Sequence, residues 1–331
     1  MGSGPVKAYI KSIGAYVPSR RVSNDELAKT VDTSDEWIFS HTGIQNRHIA
    51  ADDEAASDLA YNAAAAALKK AELSPEKLDL IILATTTPDY FGIPSTAALI
   101  QRRLGASNAA AMDILAACTG FIYGLETAKA FMESGSTKNA LVIGAEVLSR
   151  ITDWNDRNTC VLFGDGAGAA VLTDNSPSPV SNIRHSILRC DGTGADFLKL
   201  TGPGNRTLEK SPRVDHPYLY MDGQKVYKFA VKALCETVEK LLADNNEHID
   251  DIAYIVPHQA NIRIIKAAAE RMKVPFEKFY TNMNEFANTS AASIPIALNE
   301  MIQKNLLHRG DMILTIGFGG GLTYGGNLIH W

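Results

Sequence analysis

Three side chains sit in settings that can support nucleophilic chemistry. Cys118 lies in Asp113-Ile114-Leu115-Ala116-Ala117-Cys118-Thr119-Gly120-Phe121, where an apolar strand gives way to small residues and then to a helix. A thiol at a helix N-terminus faces the positive end of the helix dipole and unpaired backbone N–H groups. Both favour thiolate, so a lowered pKa is expected. Ala116, Ala117 and Gly120 leave room for an acyl thioester. The competing reading is a buried structural cysteine. His258, in Val256-Pro257-His258-Gln259-Ala260-Asn261, ends an apolar strand, where open α/β sheets place their ligands. A lone histidine there is otherwise a loop residue. Asn288, in Phe286-Ala287-Asn288-Thr289-Ser290-Ala291-Ala292-Ser293, reads as a helix N-cap or as a site amide.

Two glycine-rich runs need sorting. Gly317-Phe318-Gly319-Gly320-Gly321 follows a strand, and its N–H groups can come close to a substrate oxygen. It lacks the Lys-Ser/Thr ending of a P-loop. Phe163-Gly164-Asp165-Gly166-Ala167-Gly168 leads into a strand, Ala169 to Leu172, and not into a helix, which argues against a dinucleotide site.

The elements that must position these residues occur twice in one order. An Ala-rich helix (Ala55 to Leu73) leads to the strand Leu78 to Leu83, a helix from about Ser95, a short strand to Cys118, a helix through Met132 and the strand Ala140 to Gly144. The second series runs through a helix from Gln224 to Ala243, the strand Ile252 to Val256 and a helix from Asn261 to Met272. A segment ending at Asn288, a helix through Ile302 and the strand Met312 to Gly317 complete it. Two similar α/β halves, 1–175 and 176–331, are therefore expected, joined near Thr173 to Pro179. On this reading Asn288 takes the place in the second half that Cys118 takes in the first, so pseudo-symmetry would gather Cys118, His258 and Asn288 at one centre. Asp191 to His216, rich in Gly, Pro and charge, is expected to be a functional or covering loop.

Composition narrows the class. The 331 residues carry a net charge of -5 and are 46% hydrophobic, values of a folded globular protein without the basic surface of a nucleic-acid binder. Four cysteines with no C-x-x-C pair imply free thiols in a reducing cytoplasm. No secretory signal or run of about 18 apolar residues is seen, so no membrane span is expected.

Taken together, the motifs around Cys118, His258, Asn288 and Phe318 resemble those of β-ketoacyl-acyl carrier protein synthase III. So do Thr33 to Ile38, Phe163 to Gly168 and Met221-Asp222-Gly223, and the match keeps motif order from near residue 8 to the C-terminus. The resemblance implies a thiolase-like duplicated fold of five layers, α-β-α-β-α, and a homodimer. It implies that an acyl-CoA primer condenses with malonyl-acyl carrier protein to give a β-ketoacyl-acyl carrier protein, CO2 and CoA, initiating fatty-acid synthesis without a metal or redox cofactor.

It further implies that Cys118 takes the acyl group, that His258 and Asn288 serve decarboxylation, and that backbone N–H groups of Cys118 and Gly320 hold the oxyanion. Trp37, His41, Thr42 and Arg157 would meet CoA, while Gly223 and Asn261 line the pantetheine channel. Phe318 stands beside the reacting centre, and Ile93 crosses the dimer interface to floor the partner's acyl pocket. Lys228, Arg263, Lys266 and Arg271 would dock the acidic carrier protein. Two residues depart from the family pattern: His41 stands for a frequent Arg, and Ala287 for the Gly common before the catalytic Asn. A related condensing enzyme of secondary metabolism, a Cys-His-Asn hydrolase and a non-catalytic scaffold are the alternatives.

Overall fold

The computed structural model describes residues 7–175, 181–200, 202 and 218–331. In the first series, strand β1 (Tyr9–Tyr16) is followed by a small ribbon, β2 (Arg20–Ser23) with β3 (Asn46–Ile49), which brackets helices α1 (Asn24–Leu27) and α2 (Asp35–Thr42). Then come α3 (Ala56–Ala71), β4 (Leu80–Ala84), α4 (Thr96–Leu104), β5 (Ala110–Ile114), α5 (Gly120–Glu133), β6 (Asn139–Glu146) and β7 (Gly166–Thr173). The second series is β8 (Asn182–Cys190), a short pair β9 (Leu198–Leu200) and β10 (Leu219–Met221), α6 (Gly223–Asn245), β11 (Tyr254–Pro257), α7 (Ile262–Met272), α8 (Met283–Phe286), α9 (Ser293–Gln303), β12 (Met312–Gly319) and β13 (Thr323–His330).

The strands form two sheets with matching order. The first runs β1-β7-β6-β4-β5 and the second β8-β13-β12-β11. In each, a parallel pair borders an antiparallel one: β4 with β6 and β11 with β12 are parallel, β6 with β7 and β12 with β13 antiparallel, and β5 extends the parallel side of the first sheet. The counterpart of β5 shrinks to one parallel bridge, Ile255 with Phe279. All five residues of β4, Leu-Ile-Ile-Leu-Ala, are buried, the pattern of a strand covered on both faces.

Helices complete five layers. α3 and α4 cover the outer face of the first sheet, and α6 with α7 the outer face of the second. α5 and α9 lie between the sheets, which is why α9 is buried nearly all round. The middle layer needs close approach. A Cβ on Gly144 of β6 would lie 2.2 Å from the Ala291 carbonyl oxygen, so only glycine lets the turn before α9 rest on this strand.

One expectation lies largely outside the described residues, and another changes. Of the stretch Asp191 to His216, the first part is ordered as a 3-10 turn (192–197) followed by β9, while most of the remainder lies outside the described residues. The register between the halves also shifts. The turn Ala117–Thr119 precedes α5 just as Ser290–Ala292 precedes α9, and Ala117 and Ser290 share a left-handed φ of 45° and 47°. The counterpart of Cys118 is therefore Ala291. Asn288 lies three residues upstream, because the shared feature is the turn and not the chemistry-bearing residue.

Candidate active site

Cys118, His258 and Asn288 open into one cleft of about 1460 Å³, lined as well by Phe318 and Gly320. The three come from different elements. Cys118 sits in the turn after β5, and Asp113 near the end of that strand accepts the Thr96 and Ala97 N–H groups at 2.8 and 2.7 Å, fixing the start of α4. A Cβ on Gly319 would fall 2.8 Å from Cys118 Cβ and 3.1 Å from Sγ, so β12 can pass the thiol only with glycine there. At Gly320 an added Cβ would meet nothing closer than 3.5 Å.

The environment of the thiol overturns one expectation. Burial pushes Cys118 up to about 12; a Ser290 hydrogen bond pulls the other way and the Glu146 carboxylate adds to the rise. From the ordinary value of 9.0, that rise corresponds to about 4 kcal/mol against the thiolate. A helix N-terminus returns at most about 2 kcal/mol. Burial therefore wins, and Cys118 is a thiol whose proton must be removed before it attacks.

His258 follows β11, its N–H donating to the Ile316 carbonyl at 2.7 Å. Its ring is buried, edge-on to Phe318 at 5.4 Å, and burial pushes its pKa down to about 3, leaving a neutral imidazole. Nδ1 lies 2.8 Å from Ser293 Oγ, which also accepts the Gln259 N–H at 3.4 Å. The contact suits either ring tautomer, and in one of them the Ser293 hydroxyl donates to Nδ1. The proton of the neutral ring is then on Nε2, the ring's other nitrogen.

Asn288 is held on both sides. Its N–H donates to Leu162 O at 2.9 Å and its carbonyl accepts from Gly164 at 3.0 Å. Its Oδ1 accepts the Ser290 N–H at 2.9 Å, leaving the side-chain NH2 as the free donor. The Phe163-Gly164-Asp165 segment thus serves as a splint for Asn288. Asp165 anchors it through Ala50 N–H (2.8 Å) and the Ser149 N–H and hydroxyl (2.9 and 2.6 Å). Ala287 adopts φ 57°, ψ -156°, a region that favours glycine and is strained for alanine.

At the mouth, Trp37 stacks on His41 with ring centroids 4.6 Å apart, and the Arg157 guanidinium lies 4.6 Å over the Trp37 ring. Arg157 is also 3.8 Å from Asp32. As it stands, no planar base fits between Trp37 and Arg157; Arg157 has to swing aside to admit one. Thr42 lines the cleft, but its hydroxyl is taken by Ile38 O (2.7 Å) and the Ile44 N–H (3.0 Å). Asn261 caps α7 through the Arg263 N–H (2.8 Å) and ties it to α2 by donating to His41 O (3.1 Å). Gly223 opens α6 at the cleft wall, with Val226 and Tyr227.

Ile93 does not line this cleft. It is 88% exposed, in an apolar patch with Tyr90, Phe91 and Leu115. Lys228, Arg263, Lys266 and Arg271 are all exposed. Arg263 adjoins the mouth through Asn261, whereas Arg271 is eight residues along α7, about 12 Å away by helical rise. Sequence reasoning gave no role to Ser290, Ser293 or Glu146. The two serines lie within the quoted Asn288 motif, but which atoms they touch depends on the turn before α9.

Residues 112–192 match the family model described as 3-Oxoacyl-[acyl-carrier-protein (ACP)] synthase III, and residues 242–331 match its C-terminal model. The chain is 51% identical over 324 residues to the beta-ketoacyl-[acyl-carrier-protein] synthase III of Clostridium beijerinckii, covering 97% of this chain and 98% of that protein. The crystal structure of the 3-oxoacyl-[acyl-carrier-protein] synthase III of Aquifex aeolicus superposes with a TM-score of 0.91 at 45% identity, covering 98% and 100% of the two chains. The priming beta-ketosynthase of the R1128 polyketide pathway superposes with a TM-score of 0.90 at 33% identity, covering 99% and 97%.

Proposed function

The chain belongs to the 3-oxoacyl-[acyl-carrier-protein] synthase III family, and from that premise we propose the roles that its site residues play. The protein is an acyltransferase that condenses an acyl-CoA primer with malonyl-acyl carrier protein, releasing CO2 and CoA and starting fatty-acid synthesis. The observation that carries the residue roles is the convergence of Cys118, His258 and the free Asn288 amide on one cleft. Cys118 attacks the primer thioester, with the Cys118 and Gly320 N–H groups receiving the oxyanion. CoA then leaves, and malonyl-carrier protein enters. Nε2–H of His258 and the Asn288 NH2 donate to its thioester oxygen, so the enolate left by CO2 is stabilised and attacks the acyl-Cys carbonyl. Trp37, His41, Thr42 and Arg157 bind the CoA end, and Gly223 and Asn261 the pantetheine. We divide the chain into halves 1–175 and 176–331. We also place it in the cytoplasm, which the four unpaired cysteines support. Among the described residues, no helix is long and apolar enough to cross a membrane.

The patch around Ile93 supports a homodimer in which Ile93 reaches the partner's acyl pocket. Intact-protein mass after incubation with a series of acyl-CoAs reports both the Cys118 adduct and the accepted primers. Ile93→Ala should move the preference to longer or branched chains, by about fourfold per admitted methylene. An unchanged profile would remove Ile93 from the pocket.

Lys228 and Arg263, with Lys266, form the basic patch nearest the mouth. Carrier protein is acidic and the enzyme carries -5, so attraction has to be local. Arg263→Glu should slow use of malonyl-carrier protein several-fold and leave acyl transfer from CoA to Cys118 near normal, and added salt should mimic it. Equal slowing of both half-reactions would place docking elsewhere.

A further inference from the structure

Arg47 has no part in the chemistry above, yet it is fully buried in β3. Among the described residues no carboxylate pairs with it, and its Nε has no hydrogen-bond partner. One nitrogen, Nη2, donates to Asn24 Oδ1 (2.9 Å) and to the Val161 carbonyl (3.1 Å), and Nη1 reaches the Val22 carbonyl more weakly (3.5 Å). Burial pulls the guanidinium down to about 10, so it keeps its charge at neutral pH. A buried cation without a counter-ion is costly, so filling this volume alone would favour an apolar side chain. The two strong bonds lead to different parts of the site. Asn24 is itself fully buried, and its amide NH2 donates to Asp35 Oδ1 (2.9 Å) and to the Ile44 carbonyl (2.7 Å). Asp35 opens α2 and Ile44 follows the Gly43 that caps it, so Asn24 grips both ends of the helix that carries Trp37, His41 and Thr42. Its dipole is aligned, with the oxygen toward the guanidinium and the NH2 toward the carboxylate. Val161 leads into the splint, where Phe163 forms a parallel bridge with Asn288. A Cβ on Gly164 would lie 3.3 Å from Arg47 Cβ and 2.8 Å from the Phe286 carbonyl oxygen, so Arg47 backs the splint directly.

We propose that Arg47 is a positioning residue for malonyl decarboxylation, its Nη2 fixing the Asn288 loop in register with α2 through the Val161 carbonyl on one side and Asn24 on the other. The need for such a tie follows from the route of the substrate. A thioester arm of fixed length enters past α2, and its carbonyl oxygen has to stop within hydrogen-bond reach of the Asn288 NH2. The entry and the donor sit on segments far apart in sequence, so their separation must be held by a side chain that contacts both. A planar nitrogen with two protons in set directions does this more rigidly than apolar packing, which resists sliding weakly. Arg47 touches no substrate; it acts through the backbone that carries Asn288. Acylation of Cys118 does not use the Asn288 amide, so it lies outside this control. The inference rests on Asn288 donating to the thioester oxygen.

The test sets single-turnover CO2 release from malonyl-carrier protein beside single-turnover acylation of Cys118 by an acyl-CoA that labels the wild type. Both are measured on full-length protein whose folding is checked by circular dichroism. In Arg47→Lys the side chain is one bond shorter, so one nitrogen no longer reaches both acceptors. CO2 release should fall about tenfold, less than on loss of the Asn288 amide itself, while acylation should stay within about threefold of wild type. The decisive comparison is the double variant with Asn288→Ala. Because Arg47 acts through Asn288, Arg47→Lys should cost nothing further in CO2 release once the amide is gone. Asn24→Ser removes the α2 anchor and leaves Arg47 in place. It should show the same pattern with a several-fold loss, and it reports even if Arg47→Lys fails to fold. Losses that multiply in the double variant, equal losses in both half-reactions, or undiminished CO2 release in the single variants overturn the positioning role and leave Asn288 as the donor. Undiminished CO2 release in Asn288→Ala alone overturns the reading of Asn288 itself.

Discussion

Cys118→Ser should lower acyl transfer from acyl-CoA, and with it condensation, on the order of a thousandfold or more. A hydroxyl is far harder to ionise than a thiol, and the surroundings offer it no strong base. The His258 ring keeps its Nδ1 on Ser293 and is pushed down to about 3 by burial, so it is a poor proton acceptor. Whatever relieves Cys118 of its proton is matched to a thiol, which needs several kcal/mol less help than serine. The exchange is nearly isosteric at a site that is 9% exposed, so the fold should survive, as circular dichroism would check. Cys160→Ser is the control: Cys160 is buried away from the cleft lining, and its variant should keep most of the transfer. The measurement is stoichiometric acylation read by intact mass. Full adduct formation in Cys118→Ser protein would falsify the assignment of the nucleophile.

The contrast between what the sequence made legible and what it hid lies in range of interaction. The duplicated order of elements could be read because each helix and strand is set by local periodicity, as in the Ala-rich α3 or the apolar β4. Cys118 and His258 could be read because each stands at a strand end flanked by small or turn-forming residues. The register between the halves could not. It is set by the left-handed residues Ala117 and Ser290, neither of them glycine, so no residue type announced the turn. The thiol's pKa was misjudged for a related reason. Helix position is a local property, whereas desolvation comes from β12 and the Ser290 turn, distant in sequence, closing over Cys118. Glu146 was hidden altogether, since its hydrogen-bond partners are threonines about 60 positions upstream.

His258→Ala and Asn288→Ala should separate the two half-reactions. Each removes one donor from the enolate oxygen, and loss of a single such donor costs on the order of a hundred- to a thousandfold. Malonyl decarboxylation should fall by that amount in either variant, while acylation of Cys118, which uses the backbone donors, should change only a few-fold. The pH dependence adds a second signature. His258 stays neutral above about 3, so the decarboxylation rate should show no inflection near 6.5, where an exposed histidine would titrate. Stability carries the matching sign. Between about 3 and 6.5 the unfolded chain binds a proton at this histidine that the folded chain does not, so wild-type stability drains as pH falls through that window. His258→Ala should therefore lose less stability than wild type between pH 7 and pH 4.5 in urea titrations. Single-turnover acylation and CO2 release, measured separately on each variant, decide the roles. Lost acylation with intact decarboxylation would reverse the assignments of His258 and Asn288. A rate inflection near 6.5 that disappears in His258→Ala would show that the imidazole works as a titrating base and not as a neutral donor fixed by Ser293.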